Sequence, residues 1–455
     1  MRRQTYLTAK TASTLLVLWG TACTTTIREP NWQDSATQVQ ATTGYALDME
    51  PRSMPVAAED VLAGGLSLDQ AMHLALARSM RLQAAFHAVG VAEADYAQSQ
   101  MLSNPSLSFG LLAPFQGGRP QLTVDALQPL QDLWYREERV ASADAERLLR
   151  VWQLCEVAQQ VLVEVRAAWL ATVEARAWQT QLEGERELAR IEVELQRELV
   201  ALGEGVQVDL SRAASAFETA QLALHEHQAS VGAAHIRLQA ALSMSVPLDG
   251  VTLQPTALQT DSSTVDAWVA AARTQRIELR LRQAETQQAE HAVALAQAQT
   301  WPAFSAGLSY EQPAEGGSST LGPAATVELP IFQSGAARVA AARQELLRRQ
   351  ALLTEAEREV SVHVQQAWHS WRAATEAEQQ ASTRLLPAAR TELQLTQELI
   401  EAGAATRHEL LAVQRHVLEA EQAVLRTQLQ RVRAQLALEE ASGRPLATEP
   451  PPSGL

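Results

Sequence analysis

Acids sit at two corresponding places in the 455-residue chain, each in what reads as the first turn of a return helix. Asp209 and Glu409 each follow a glycine, Gly203 or Gly403, by six residues, and Glu204 and Arg407 lie beside them. Such carboxylates can do one of two things. Held close to copies of themselves around a symmetry axis, they favour uptake of protons or cations. In the first turn of a helix, they stabilise the positive end of its dipole and need no further role. The glycines are equally double-edged. Leu202-Gly203 and Ala402-Gly403 suit either close approach of a partner or a plain helix end.

Other side chains offer less chemistry. His225 and His227 are two apart and point to different helix faces, while His363 with His369 and His408 with His416 lack the i,i+4 spacing of a helical metal pair. Two cysteines, Cys23 and Cys155, cannot make a disulfide framework or a four-ligand zinc site. No Gly-x-Ser-x-Gly, His-Glu-x-x-His or glycine-rich phosphate loop occurs, and the single lysine is Lys10. Neither a metal, a cofactor nor a catalytic centre is expected, and an enzyme is the weakest reading. With 37 Lys+Arg against 52 Asp+Glu, the net charge of −15 argues against nucleic acid, which demands a basic surface.

The elements that carry these residues occur twice. Pro105 matches Pro302, and Thr123-Val124-Asp125 matches Thr326-Val327-Glu328. Val161, Val163, Val165, Ala168 and Trp169 match Val360, Val362, Val364, Ala367 and Trp368; Gly203, Asp209 and Leu210 match Gly403, Glu409 and Leu410. Four matches in one order at nearly one offset mark a tandem duplication. The expected organisation is a signal over residues 1–22, a linker over 23–65, a first repeat over 66–250, a second over 251–445, and a Pro-rich tail over 446–455.

Each repeat has the same anatomy. A capping box at Ser67 and Gln70, with Ser263 and Asp266 as its equivalent, opens a helical segment of about 35 residues that ends before Pro105 or Pro302. Two short alternating segments follow. Leu107, Phe109 and Leu111, then Leu122, Val124 and Ala126, mark the first pair; Phe304, Ala306, Leu308 and Tyr310, then Ala325, Val327 and Leu329, mark the second. Period two with one apolar face predicts half-exposed strands, with Gly117-Gly118 and Gly316-Gly317 in the turns. Trp134–Leu202 and Ala336–Ala402 then read as very long helices, the second broken only by Pro387. Nearly 70 residues at ~1.5 Å rise make a rod of roughly 100 Å, several times a bilayer's ~30 Å core. Ala, Leu and Val among Gln, Glu and Arg suit a narrow seam of the coiled-coil kind. Trp169 and Trp368 are expected in that seam. Trp134 and Trp301, at strand ends, suit a membrane interface or plain packing. Cys155 reads as an inert buried thiol.

Arg2, Arg3 and Lys10, the apolar stretch Ala12–Trp19 and small Gly20-Thr21-Ala22 form a cleavable signal. Cys23 directly after them resembles the lipidated cysteine of a bacterial lipoprotein, although Gly20 stands where that pattern usually has Leu. Thr24, rather than Asp, implies sorting to the outer membrane. An ordinary secretory signal with an incidental cysteine is the alternative. The mature chain contains no uninterrupted apolar run of 18 residues, so any membrane crossing must use β-strands. Four strands cannot close a barrel. Two chains would supply eight and three would supply twelve.

Leu329-Pro330-Ile331-Phe332-Gln333-Ser334-Gly335 resembles the strand-to-helix motif of the TolC-type outer-membrane efflux proteins. So do the Asn104-Pro105 and Trp301-Pro302 junctions, and Glu401-Ala402-Gly403 followed by Glu409-Leu410-Leu411-Ala412-Val413-Gln414. The resemblance spans about residues 66–445, and with Cys23 it is nearest the lipoprotein branch. It implies a mainly α fold with short β: long helical hairpins and two β-hairpins, assembled as a homotrimeric α-barrel tunnel continuous with a 12-stranded transmembrane β-barrel. It implies an exit duct in the outer membrane, working with a periplasmic adaptor and an inner-membrane transporter. In that family, acids just past the second tip help close the tunnel. Glu409 matches one such position, whereas Ala412 stands where the next acid is expected. Asp209 is the first-repeat equivalent, and the tips at Leu202, Gly203, Ala402 and Gly403 would receive the adaptor. A periplasmic adaptor lacks room here for its compact β-domains, and a purely structural coiled-coil lipoprotein leaves the strands unexplained. The cargo is not readable.

Overall fold

The computed structural model describes residues 32–46, 65–244 and 264–444, apart from 116, 315 and 316. The signal, Cys23, Ser263, Gly316 and the Pro-rich tail lie outside the described residues.

The helices follow from composition and end signals. Part of the expected linker is itself a helix, α1 (Trp32–Thr43), and its Val39 and the following Tyr45 are fully buried. The expected single opening helix is two, α2 (Leu68–Arg78) and α3 (Met80–Ser99), because Ser79 adopts an extended backbone and caps the second. The Ser67–Gln70 capping box is present. In the second repeat the chain likewise turns extended at Arg276, between residues 265–275 and 277–298, though without a side-chain cap, so the interruption is duplicated with the rest of the repeat.

After α3 come β1 (Ser106–Leu112), β2 (Gln121–Pro129), α4 (Asp132–Ala201) and α5 (Gln207–Ala241). The second repeat gives α6 (Val265–Gln275), α7 (Ile277–Ala298), β3 (Phe304–Gln312) and β4 (Thr320–Val327). It ends with α8 (Ala336–Gln380), α9 (Leu386–Glu401) and α10 (Arg407–Ser442). The cap of α6 is Thr264, whose hydroxyl accepts from the Ala267 amide, and not Ser263; Asp266 lies in the first turn. β4 begins earlier than its alternation suggested, takes in Gly322 and Pro323, and stops before Leu329. A proline is tolerated there because β4 lies at the sheet edge.

Pro387 does not break its helix. A π-helical turn, Ala381–Leu385, precedes it, and Pro387 falls in the first turn of α9. A proline in that position lacks a donor that the first turn does not use, and the wider turn before it relieves the ring's clash.

The core lies among the helices. Met72, Leu82, Val89, Leu154, Leu162, Val165, Trp169 and Leu238 bury α2 to α5 together, and α1 closes one side. Trp268, Ala272, Leu279, Val360, Val364 and Leu438 form a second cluster, against which Trp368 packs. Trp169 and Trp368 therefore do pack the helical seam. Arg166, 5% exposed, pairs with Glu439 at 2.8 Å and ties α4 of one repeat to α10 of the other.

The four strands form one antiparallel sheet in the order β1-β2-β3-β4, so the two hairpins join through β2 and β3. Gly307 makes this possible: a Cβ there would lie 1.8 Å from the Ala126 carbonyl oxygen of β2. The register aligns alternation across all strands. Leu107, Phe109 and Leu111 share a face with Leu122, Val124, Ala126, Leu308, Tyr310, Leu321 and Val327. Most of that face is exposed, including Phe109, Leu111 and Leu321. Among the described residues the outer edges of β1 and β4 have no strand partner.

Candidate functional site: hairpin tips and sheet

The two tips are built alike. At the first, Gly203 has φ +78°, and the amides of Glu204 and Gly205 both donate to the Leu199 carbonyl at 2.9 Å. At the second, Gly403 has φ +71°, and the Ala404 amide donates to the Leu399 carbonyl at 2.7 Å. Left-handed backbone is open to glycine without a Cβ penalty, which explains both residues as helix ends. Leu202 remains 73% exposed beyond the last turn. Ala402 is exposed in the corresponding place.

The four charged tip residues do not converge. Asp209 pairs with Arg212 on its own helix at 3.2 Å. Arg407 approaches Glu198, at the end of α4, at 3.9 Å, which links the two tips loosely. Glu204 and Asp209 line an open groove of about 850 Å³ with Glu192, His408, Arg415 and Glu419. Arg415 pairs with Glu192 across it. Glu409 faces elsewhere. Its Oε2 accepts from the Thr406 amide at 2.6 Å and from the Thr406 hydroxyl at 3.0 Å. The Thr406 donors hold its carboxyl below the usual range, the amide foremost. Within one chain Glu409 is thus a capping acid, and proton uptake through crowding by like charges needs further copies. Among the described residues no group of three metal-ligating side chains occurs.

Where the helices meet the sheet, the structure adds a feature that spacing did not reveal. Asp132 is 1% exposed. Burial disfavours its charge, but the Ser103 amide at 2.6 Å and Arg139 at 2.7 Å outweigh this and hold its carboxyl below the usual range. Arg139 also donates to the carbonyls of Ser99 and Met101, closing the end of α3. Asp132 opening a helix with an arginine seven residues on was the only sequence trace of this clamp. Trp134 packs edge-on against Phe304 and stays half-exposed, while Trp301 is 69% exposed beside it. The adjoining Leu329, Ile331 and Phe332 are exposed too.

No helix among the described residues is long and apolar enough to cross a membrane. The described chain thus combines long helical hairpins, two tips built alike and a two-faced four-stranded sheet. Residues 268–444 match the family model described as outer membrane efflux protein. The fold is shared with solved channels. The outer membrane protein VceC of Vibrio cholerae is 16% identical with a TM-score of 0.68, covering 84% of this chain and 97% of that one. The CmeC outer membrane channel of Campylobacter jejuni is 15% identical at 0.68, covering 88% and 90%. The open state of the MtrE outer membrane channel of Neisseria gonorrhoeae is 18% identical at 0.63, covering 84% and 91%. The sequence matches no curated protein. The motif resemblance to the TolC-type outer-membrane efflux proteins is thus met by a family match over residues 268–444 and by a shared fold over most of the chain.

Proposed function

We propose that three copies assemble into a 12-stranded barrel in the outer membrane, continuous with a helical tunnel in the periplasm. One observation carries this reading: a four-stranded sheet with an apolar face on one side, mostly small and polar residues on the other, and two edges unpaired among the described residues. Free edges of exposed strands invite pairing, and closure of a ring removes them. An apolar outer band with a polar interior is what a lipid-embedded barrel requires. Threefold closure gives twelve strands, an even number, and leaves the charged helices in water.

The duct is passive. An inner-membrane transporter supplies the energy, and a periplasmic adaptor docks on the tips at Leu202-Gly203 and Ala402-Gly403, where exposed small residues allow close approach. Asp209, Glu204, Arg407 and Glu409 stand at the same end, and three copies of Glu409 around one axis form the proposed gate. Cys23 carries the lipid that anchors the mature N-terminus.

Native mass spectrometry on protein extracted from washed outer membranes tests the assembly. A trimer bearing acyl chains at Cys23 supports it. A soluble periplasmic monomer or dimer rejects the barrel and favours an adaptor.

A further inference from the structure

The sheet face opposite the apolar one has a charge pattern of its own. Its register brings together Ser106, Ser108, Thr123, Asp125, Ser309 and Glu311, with Leu112 and Leu127 the large apolar residues among them. Asp125 and Glu311 are the only charged residues of the four strands, and both fall on this face. Asp125 sits at mid-height, where three strands meet: its Oδ2 accepts from Ser108 Oγ at 3.2 Å and its Oδ1 from Ser309 Oγ at 2.5 Å. Glu311, two residues along β3, accepts from Gln121 Nε2 at 2.6 Å. These donors are neutral, so they fix the carboxylates without cancelling their charge. No arginine lies in the strands, and the nearest in sequence is Arg119 in the β1–β2 loop.

We propose that Asp125 and Glu311 line the water-filled interior of the barrel and make it a cation-preferring section of the duct. The inference rests on the barrel reading above. A threefold assembly carries six such carboxylates, with no cation on the same face. Charges of one sign beside a low-dielectric wall concentrate counter-ions in the passage. This section is separate from the tips. The 70 residues of α4 alone span about 105 Å, against a screening length of about 8 Å at physiological salt. Tip acids therefore cannot stand in for it.

Full-length protein reconstituted in planar bilayers under a potassium chloride gradient provides the test. The D125N/E311Q double variant should lower the potassium-to-chloride permeability ratio severalfold. Asparagine and glutamine keep hydrogen-bonding capacity, so the strands should still pair. Thr326→Arg, on the same face but outside the Asp125 cluster, is a second variant and should lower the ratio as well. Channels whose permeability ratio is unmoved by both changes would overturn the inference while leaving the barrel intact. Full-length protein recovered from washed outer membranes only as a monomer would instead reject the barrel, and the inference with it.

Discussion

The Thr406 amide donates to Glu409 Oε2 at 2.6 Å, and the Glu409 amide donates back to Thr406 Oγ1 at 3.3 Å. This reciprocal cap starts the return helix of the second tip. It separates two roles that one acid could hold, because glutamine can close the same box without charge. Glu409→Gln should therefore leave the helix in place while altering cation selectivity or resting closure in bilayer recordings. Glu409→Ala should loosen the tip as well, seen as faster proteolysis there. Unaltered conductance and selectivity in the glutamine variant would sink the gate proposal. The folded carboxyl lies below its usual range, so the cap's contribution is full above the unfolded value, about pH 4.3. It is lost as pH falls through the lower folded value.

The Asp132–Arg139 clamp should matter more for stability. Replacing a buried acid by alanine leaves Arg139 without its partner and Ser103 with an unmade bond. Asp132→Ala should cost roughly 2–4 kcal/mol, measured by thermal unfolding of the extracted protein. Because the folded carboxyl lies below its usual range, the wild-type advantage should be complete above about pH 4. The part owed to the charge should be lost as pH falls through the lower folded value, narrowing the gap between wild type and variant.

Cys155 is fully buried, and burial pushes its thiol up to about 11, with the Thr42 hydroxyl acting weakly the other way. A thiolate is the reactive form, so the native protein should leave Cys155 unmodified by a thiol reagent at pH 8. Unfolding should release one reactive thiol per chain if Cys23 is acylated. Two would show that Cys23 is free.

Gly307 holds the two hairpins together by leaving room for the Ala126 carbonyl. Gly307→Ala should break the β2–β3 pairing locally and reduce the yield of heat-resistant trimers in outer membranes. Gly322→Ala, with nothing within 4 Å of the added Cβ, should have little effect.

Much of this architecture could be read from the chain. The duplication, the very long helices and the two pairs of strands follow from periodicity and repeated motifs, because each depends on neighbours in sequence. The breaks at Ser79 and Arg276, and the π turn before Pro387, were less visible. They arise where packing against other helices sets the backbone angle. The tips show the same division. Gly203 and Gly403 announce the reversals, but only the folded chain places Glu409 in a cap and Asp209 beside Arg212.

The sequence by itself determined the alternation within each strand, since side chains on successive residues point to opposite faces whatever the neighbours are. Which strands pair, and in what register, was decided by the tertiary structure. The pairing of β2 with β3 joins residues 184 positions apart, such as Asp125 and Ser309, and no local preference encodes such a contact. A register shifted by one residue would have moved Asp125 against the apolar face. The burial of Asp132 was settled in the same way, because the Ser103 amide and the carbonyls that hold Arg139 come from a different part of the chain and meet it only when helix and sheet are docked.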